Sequence, residues 1–349
     1  MDASESLPLF TDWPYHLARQ LEDSPRLQCR AEKVLQCDII GHTDFSGKRC
    51  AEASTEMLMQ GLRCAGYRVG GSLRWHRTSD SDTNCNKLAI HSGRPPAHVF
   101  GDLLSRLPPA HQKQLKLLRP DHAANRTQKE EAYARQWAYL QEHLDSCFPP
   151  SAGKCLRPEC SSSTGCPVRH QATTKSEAES QLKLVIGGSM CTPWSPMGNR
   201  EGLSSPHTES MQIFMAEVQA GRYDLATLEN SSLFPKDLFA SRLGQEYQVL
   251  QAAFGPEDLG WPGRRRRLLQ TAIHLSRWVW VGPSDPKSVG EDFQSLFFRP
   301  TVTGGDIFLQ HADCEQGKLK AELAKRRGLH VQAVECQDLD PSKILSLIH

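Results

Sequence analysis

Leu182–Gly202, LKLVIGGSMCTPWSPMGNREG, sets one cysteine directly behind a short apolar run. Leu184, Val185 and Ile186 read as a central strand, and Gly187 and Gly188 stop it where the backbone must turn sharply. Cys191 then stands at the strand's carboxyl end, which is where ligands bind in open α/β sheets. A cysteine after a strand is either a small buried hydrophobe or a presented nucleophile. What surrounds it in the rest of the chain separates the two readings.

Further on, YDLATLENSSLFP (Tyr223–Pro235) reads as a second strand, Asp224 to Leu228, ending in Glu229 and Asn230. A carboxyl group thus stands at a neighbouring strand end. Next comes GWPGRRRRLL, residues 260–269, where Arg265 and Arg267 alternate and so point to one face of an extended segment. Upstream, HTDFSGKRCAEASTEMLMQGLRCAGYRV (His42–Val69) reads as a strand, a turn through Phe45 and Gly47, and a helix. TSDSD then puts Asp80 and Asp82 after a further strand, and FGDLLSRL offers Asp102, which is either a ligand contact or a helix cap.

In order and spacing these stretches resemble the cytosine-C5 DNA methyltransferase family, whose pattern is a GG-P-P-C-Q turn, an E-N-V strand end, and Q-x-R-x-R after G-x-P. Gly187, Gly188, Cys191, Pro193, Ser195 and Gly198 match the first motif; Glu229 and Asn230 the second; Gly260, Pro262, Arg265 and Arg267 the third. The resemblance covers about residues 36 to 282, with one insertion. It implies a doubly wound, Rossmann-like α/β fold that uses S-adenosylmethionine, with DNA as partner. It also implies that Cys191, Glu229, Arg265 and Arg267 are catalytic, and that Phe45, Gly47, Asp80, Asp102 and Pro193 hold the cofactor. Asp80 or Asp82 takes the ribose hydroxyls on this reading, and Asp102 the adenine. The sequence departs from the pattern at Ser189-Met190, at Thr192, at Lys48-Arg49 after the F-x-G turn, and at Gly263.

The chemistry accounts for these residue types without the family. Cytosine C5 is a poor nucleophile until something adds to C6, and a thiolate is suited to that addition. A carboxyl group at N3 stabilises the charge that develops. An arginine pair holds the base oxygen and a nearby phosphate. The target base must leave the stack for C6 to be reached.

Pro108–Glu179 lies where the family has a short connection. Its first part is helix-forming, with Trp137, Leu140 and Leu144 at helical spacing for packing. Its second part carries Cys147, Cys155, Cys160 and Cys166, with His170 near; these either bind zinc or are ordinary free thiols, since no C-x-x-C pair is present. Three regions follow: an N-terminal extension (1–35), a catalytic domain (36–282, insertion about 108–179) and a partial target-recognition segment (283–349). The family's closing motifs do not follow residue 283, so the expectation is a shortened chain or one completed by a partner protein.

A chain of 349 residues with 38% hydrophobic content can bury a sizeable core. The net charge of +1 gives no global pull toward nucleic acid, so phosphate contact falls to local clusters such as Arg264 to Arg267. MDASESLPLF lacks the order of a signal peptide, and no membrane span is visible. The expected location is the nucleus or the cytosol, where the 12 cysteines are thiols or metal ligands. Two alternatives accompany the DNA reading: RNA cytosine methylation on the same fold, and a catalytically inert paralogue that binds nucleic acid or a partner methyltransferase.

Overall fold

A computed structural model describes residues 32–160, 166–167, 174–260 and 265–297, together with Pro14 and Leu17. The elements run β1 (Asp38–Asp44), α1 (Cys50–Cys64), β2 (Leu73–Ser79), α2 (Thr83–Ile90), β3 (His98–Phe100), α3 (Pro109–Leu117), α4 (Arg126–Glu142), β4 (Ser151–Gly153) and β5 (Cys166–Pro167). They continue with β6 (Gln181–Gly188), α5 (His207–Gly221), β7 (Leu225–Ser231), α6 (Lys236–Leu243), β8 (Tyr247–Phe254), β9 (Arg267–His274) and α7 (Pro286–Phe297).

Seven strands form one sheet in the order β3-β2-β1-β6-β7-β9-β8. Every pairing is parallel except those of β9, which runs against both β7 and β8. The chain leaves β1 toward β2 and β3 and returns to β6 on the other side of β1. That reversal opens a crevice beyond the strands' carboxyl ends. Mixed α/β layering around this sheet is the Rossmann-like methyltransferase fold.

The period-2 alternation of the strands sorts their apolar residues to two cores. Ile39, Leu182, Leu184 and Leu225 pack with Met59 and Leu62 of α1 on one face. Val185, Ala226, Leu228, Leu268 and Ala272 pack with Phe214, Met215 and Val218 of α5 on the other. α3 and α4 join the second core through buried Leu115 and Leu140, with Trp137 and Leu144 partly buried against it. Gln212 Nε2 donates to Tyr133 O at 3.1 Å, and Gln136 Nε2 donates to Glu209 Oε2 at 2.8 Å, so α4 is tied to α5 by buried polar bonds as well.

The glycine pair differs from the sequence expectation. β6 runs through Gly187 and Gly188, and both lie in extended backbone rather than in the turn. Gly187 is required by packing: a Cβ there would sit 2.7 Å from the Phe214 ring. At Gly188 a Cβ would meet Glu229 Oε2 at 3.5 Å, an ordinary contact.

A buried quartet of charges sits between the sheet and α5. Arg77 donates to Asp44 at 2.5 Å and to Glu217 at 2.6 Å, and Arg106 donates to the same two acids at 2.7 and 2.5 Å. Two guanidinium groups thus face two carboxylates, all almost fully enclosed. Pairing of this kind is what keeps ionised groups tolerable away from water.

Candidate active site

Register aligns the site before any side chain is considered. Asp44 of β1 pairs with Gly187, and Gly188 pairs with Glu229, so the ends of β1, β6 and β7 are level at the crevice. Ser189 binds Asn230 of the neighbouring strand, whose Nδ2 donates to Ser189 Oγ at 2.7 Å. The chain then turns at Cys191, whose carbonyl accepts from the amides of Trp194 at 3.0 Å and Ser195 at 2.8 Å. Cys191 is partly exposed at the head of this loop.

The loop is compact for local reasons. Trp194 meets Phe234 edge to face at 5.2 Å, and Ser231 Oγ donates to Trp194 O at 3.4 Å. Gly198 packs so closely on Thr192 that a Cβ would lie 2.7 Å from the Thr192 carbonyl carbon. Pro193, expected at the cofactor, is buried, and its carbonyl accepts from Gly202 N at 3.0 Å, closing the loop's base.

Glu229 and Arg267 meet across the antiparallel β7–β9 pair. Arg267 lies opposite Ser231, which places it diagonal to Glu229 on the same face. Its Nε donates to Glu229 Oε1 at 2.6 Å. Arg265 lies exposed just ahead of β9, while Arg266 donates to Ala253 O at 3.1 Å and pairs with Asp258 at 3.0 Å. Pro262, Gly263 and Arg264 lie outside the described residues.

Phe45, Gly47 and Arg49 all take left-handed backbone, with φ of 54°, 52° and 63°. For Phe45 and Arg49 this costs about 1–3 kcal/mol each. At Arg49 the cost is offset by bonds: its guanidinium donates to Ser92 Oγ and to Arg94 O, and its Nε lies 3.6 Å from Glu52. An arginine thus holds a conformation that glycine adopts freely. Phe45 also packs edge to face against Phe214 at 6.3 Å.

Asp80 stands at the tip of β2, where its Oδ2 accepts from Gly47 N at 2.7 Å and its Oδ1 from Asp82 N at 2.8 Å. Each carboxylate oxygen keeps a further lone pair, so the group can still accept from a ligand hydroxyl. Asp82 caps α2 by accepting from Asn84 N. Asp102 caps the short 3-10 turn Leu103–Arg106 in the same way, accepting from Leu104 N at 3.2 Å.

The turn after β1 has features that suit a bound polar ligand. Ser46 Oγ is buried in the F-x-G turn without a hydrogen-bond partner. Nothing lies within 4 Å of a Cβ built on Gly47 or on Gly101, so open space adjoins each of these two turns. A ligand with polar atoms is the natural occupant of such a place.

The expected cysteine cluster is corrected by the structure. Cys147 is fully buried beside Phe148 and Leu144 in the core under α5, and burial pushes its thiol up to about 12. Cys155, Cys160 and Cys166 do converge, but the fourth donor is His98 of β3. A long separation hid this, because His98 precedes Cys155 by a stretch that includes all of α3 and α4. His170, Cys314 and Cys336 lie outside the described residues, as do most of the regions 1–35 and 283–349.

No family model matches the chain, and no curated protein does. Among solved structures the chain is similar to the Entamoeba histolytica methyltransferase EhMeth, at 13% identity and a TM-score of 0.35, covering 68% of this chain and 53% of that one. It is similar to a DNA modification methyltransferase encoded within an E. coli prophage, at 14% identity and a TM-score of 0.37, covering 78% and 56%. It is also similar to the S. pombe Dnmt2 methyltransferase, at 10% identity and a TM-score of 0.33, covering 70% and 52%. The chain spans just over half the length of these proteins. The fold assignment itself rests on the sheet order.

Proposed function

We propose that this chain transfers a methyl group from S-adenosylmethionine to C5 of a cytosine, with DNA as the substrate that the motif order favours. The observation that carries the reading is the placement of the Cys191 turn directly after β6, level with the end of the adjacent β7 that carries the Glu229–Arg267 ion pair. Phe45, Gly47, Ser46 and Asp80 would hold the cofactor, which supplies an electrophilic methyl.

On this reading the Cys191 thiolate adds to C6 of the base, forming a C–S bond and moving electron density toward C5 and N3. Glu229 binds at N3 and stabilises that density, and Arg267 fixes the carboxyl group in place. The C5 electron pair would take the methyl carbon, the C–S bond of the cofactor breaking so that S-adenosylhomocysteine leaves; C5 then loses its proton to a base, and the electron pair of that C–H bond expels Cys191. The ring is restored and the thiolate regenerated. Arg265, exposed ahead of β9, would contact phosphate rather than the base on this reading.

A second reading, a protein that binds without turnover, is favoured by Arg49, whose side chain ties the cofactor turn to Ser92 and Arg94 where the family pattern has glycine.

The two readings part in one experiment. The full chain and a Cys191→Ser variant are incubated with S-adenosylmethionine and DNA carrying 5-fluorocytosine, whose fluorine blocks the last elimination. A stable adduct with the parent chain alone supports the proposal. An adduct with fluorinated RNA but not DNA moves the substrate to RNA. No adduct with either, together with retained S-adenosylmethionine binding in equilibrium dialysis, leaves the binding protein.

A further inference from the structure

We propose that His98, Cys155, Cys160 and Cys166 form a structural zinc site that fastens the insertion to the outermost parallel strand of the sheet. The donor atoms of these four residues all lie within 4.8 Å of one another. A tetrahedral zinc with sulfur at about 2.3 Å and nitrogen at about 2.0 Å holds its donors roughly 3.5–3.8 Å apart, so the cluster needs only small adjustments to close on the ion. Cys160 Sγ lies 3.5 Å from His98 Nδ1 and 2.7 Å from Cys166 Sγ. The second distance is well beyond a disulfide bond of about 2.05 Å, and all three cysteines are free thiols.

Three features of the fold assemble the set. His98 opens β3, whose ladder with β2 fixes the imidazole on the sheet. The segment carrying Cys155 lies alongside β3: Leu156 N donates to Val99 O at 2.8 Å, and Arg157 Nη1 donates to Pro96 O at 2.6 Å. The small β4–β5 ladder pairs Gly153 with Cys166 and so returns the last thiol to the first. The three cysteines thereby converge on a histidine from a different element.

The surroundings suit a thiolate cluster. Cys155 Sγ accepts the amide N–H of Val99 at 3.4 Å and of Arg157 at 3.5 Å. Amides aimed at a sulfur stabilise its ionised form and orient it toward a metal. Phe100 and buried Cys166 form a small apolar cluster with Cys155 and Cys160 packed against it, which shields the cluster from water.

Three thiolates and one imidazole select zinc among the common divalent ions, and four protein donors leave no coordination position for a substrate. The site is therefore structural. It also lies at the start of β3 rather than at the carboxyl end where Asp102 stands, so it is separate from the methyl-transfer site and does not depend on that assignment.

The test uses the full chain purified under reductant without chelator, with metal measured by plasma mass spectrometry and the site reported by cobalt exchange. The expected result is a single zinc per chain. Cobalt should give the visible d–d bands and near-ultraviolet thiolate charge-transfer band of a tetrahedral site. His98→Ala and Cys160→Ser should each weaken zinc binding by at least about tenfold. His98→Cys should keep the metal and strengthen the charge-transfer band, since it adds a fourth thiolate; this readout holds even if His98→Ala folds poorly. Cys147→Ala should keep the metal. A parent chain without stoichiometric zinc, undiminished zinc in Cys160→Ser, a Cys160–Cys166 disulfide persisting in reductant, or iron with acid-labile sulfide would each overturn the proposal.

Discussion

Arg267 Nε sits 2.6 Å from Glu229 Oε1, an ion pair that joins the single reversed strand of the sheet to its parallel neighbour at the edge of the crevice. The two residues are diagonal across an antiparallel ladder, a separation that long side chains span. The pair fixes a carboxyl group beside the Cys191 turn.

Because the Glu229 side chain is 40% exposed, solvent screens the pair and its contribution to folding is small, about 0–1 kcal/mol. Its expected role is in positioning. Arg267→Ala should therefore lower single-turnover methyl transfer by about two orders of magnitude while the urea midpoint barely moves. Arg267→Lys should not restore the rate, because an ammonium cannot reproduce the guanidinium geometry. A large loss of stability with an unchanged rate would contradict this assignment.

Gly187→Ala is expected to destabilise the fold by about 1–3 kcal/mol, since its Cβ would lie 2.7 Å from the Phe214 ring in a filled core. Pairing it with Phe214→Leu should recover part of that loss, which a double-mutant cycle in urea would register. Strict additivity would mean that the two side chains do not compete for the same space.

Removing one member of the buried quartet strands the others. Arg77→Met removes one of the two guanidinium groups facing Asp44 and Glu217, and should cost about 3–5 kcal/mol. Adding Glu217→Gln restores charge balance, so the double variant should be more stable than the sum of the single effects. Equilibrium unfolding of the three variants decides the matter.

His274 supplies a pH dependence. Burial depresses its basicity, and Arg222 and Lys183 add to this, while Glu246 and Asp224 oppose it. Ser276 N donates to its Nδ1 at 3.2 Å, a bond that requires that nitrogen to be unprotonated. The folded state thus binds its proton at lower pH than the unfolded chain does. The contribution to stability is full above the ordinary histidine value of 6.5 and falls away as pH drops through it toward the lower folded value. His274→Gln should flatten that part of the stability profile, measured by urea titration across the histidine range; an unchanged slope would remove His274 as its source.

Much of the site was readable because its signals are local. A run such as Leu184-Val185-Ile186 announces a central strand, and a residue one to three positions past a strand lies at its carboxyl end, as Cys191 and Asp80 do. The role of Gly187 was misread because a strand-ending glycine and a glycine under a packed ring look alike until Phe214 of a later helix is in place. His98 and Glu217 were missed for the same reason: their partners come from distant elements, and a lone polar residue within a short apolar segment carries no sign of them. Asp102 in Gly-Asp-Leu-Leu was open to two readings, an adenine contact or a cap, and the structure shows its carboxylate capping the turn that follows.

The bond from Leu156 N to Val99 O has a consequence for the molecule in a crowded solution. β3 is the last strand on its side of the sheet, and a terminal strand with open backbone groups is a template for addition of a strand from another chain. Here Leu156 occupies the Val99 carbonyl and Cys155 Sγ occupies the Val99 amide, so the insertion closes that template from within the same polypeptide. Loosening the segment around Cys155 would therefore be felt first as self-association through β3, before any loss of the sheet itself.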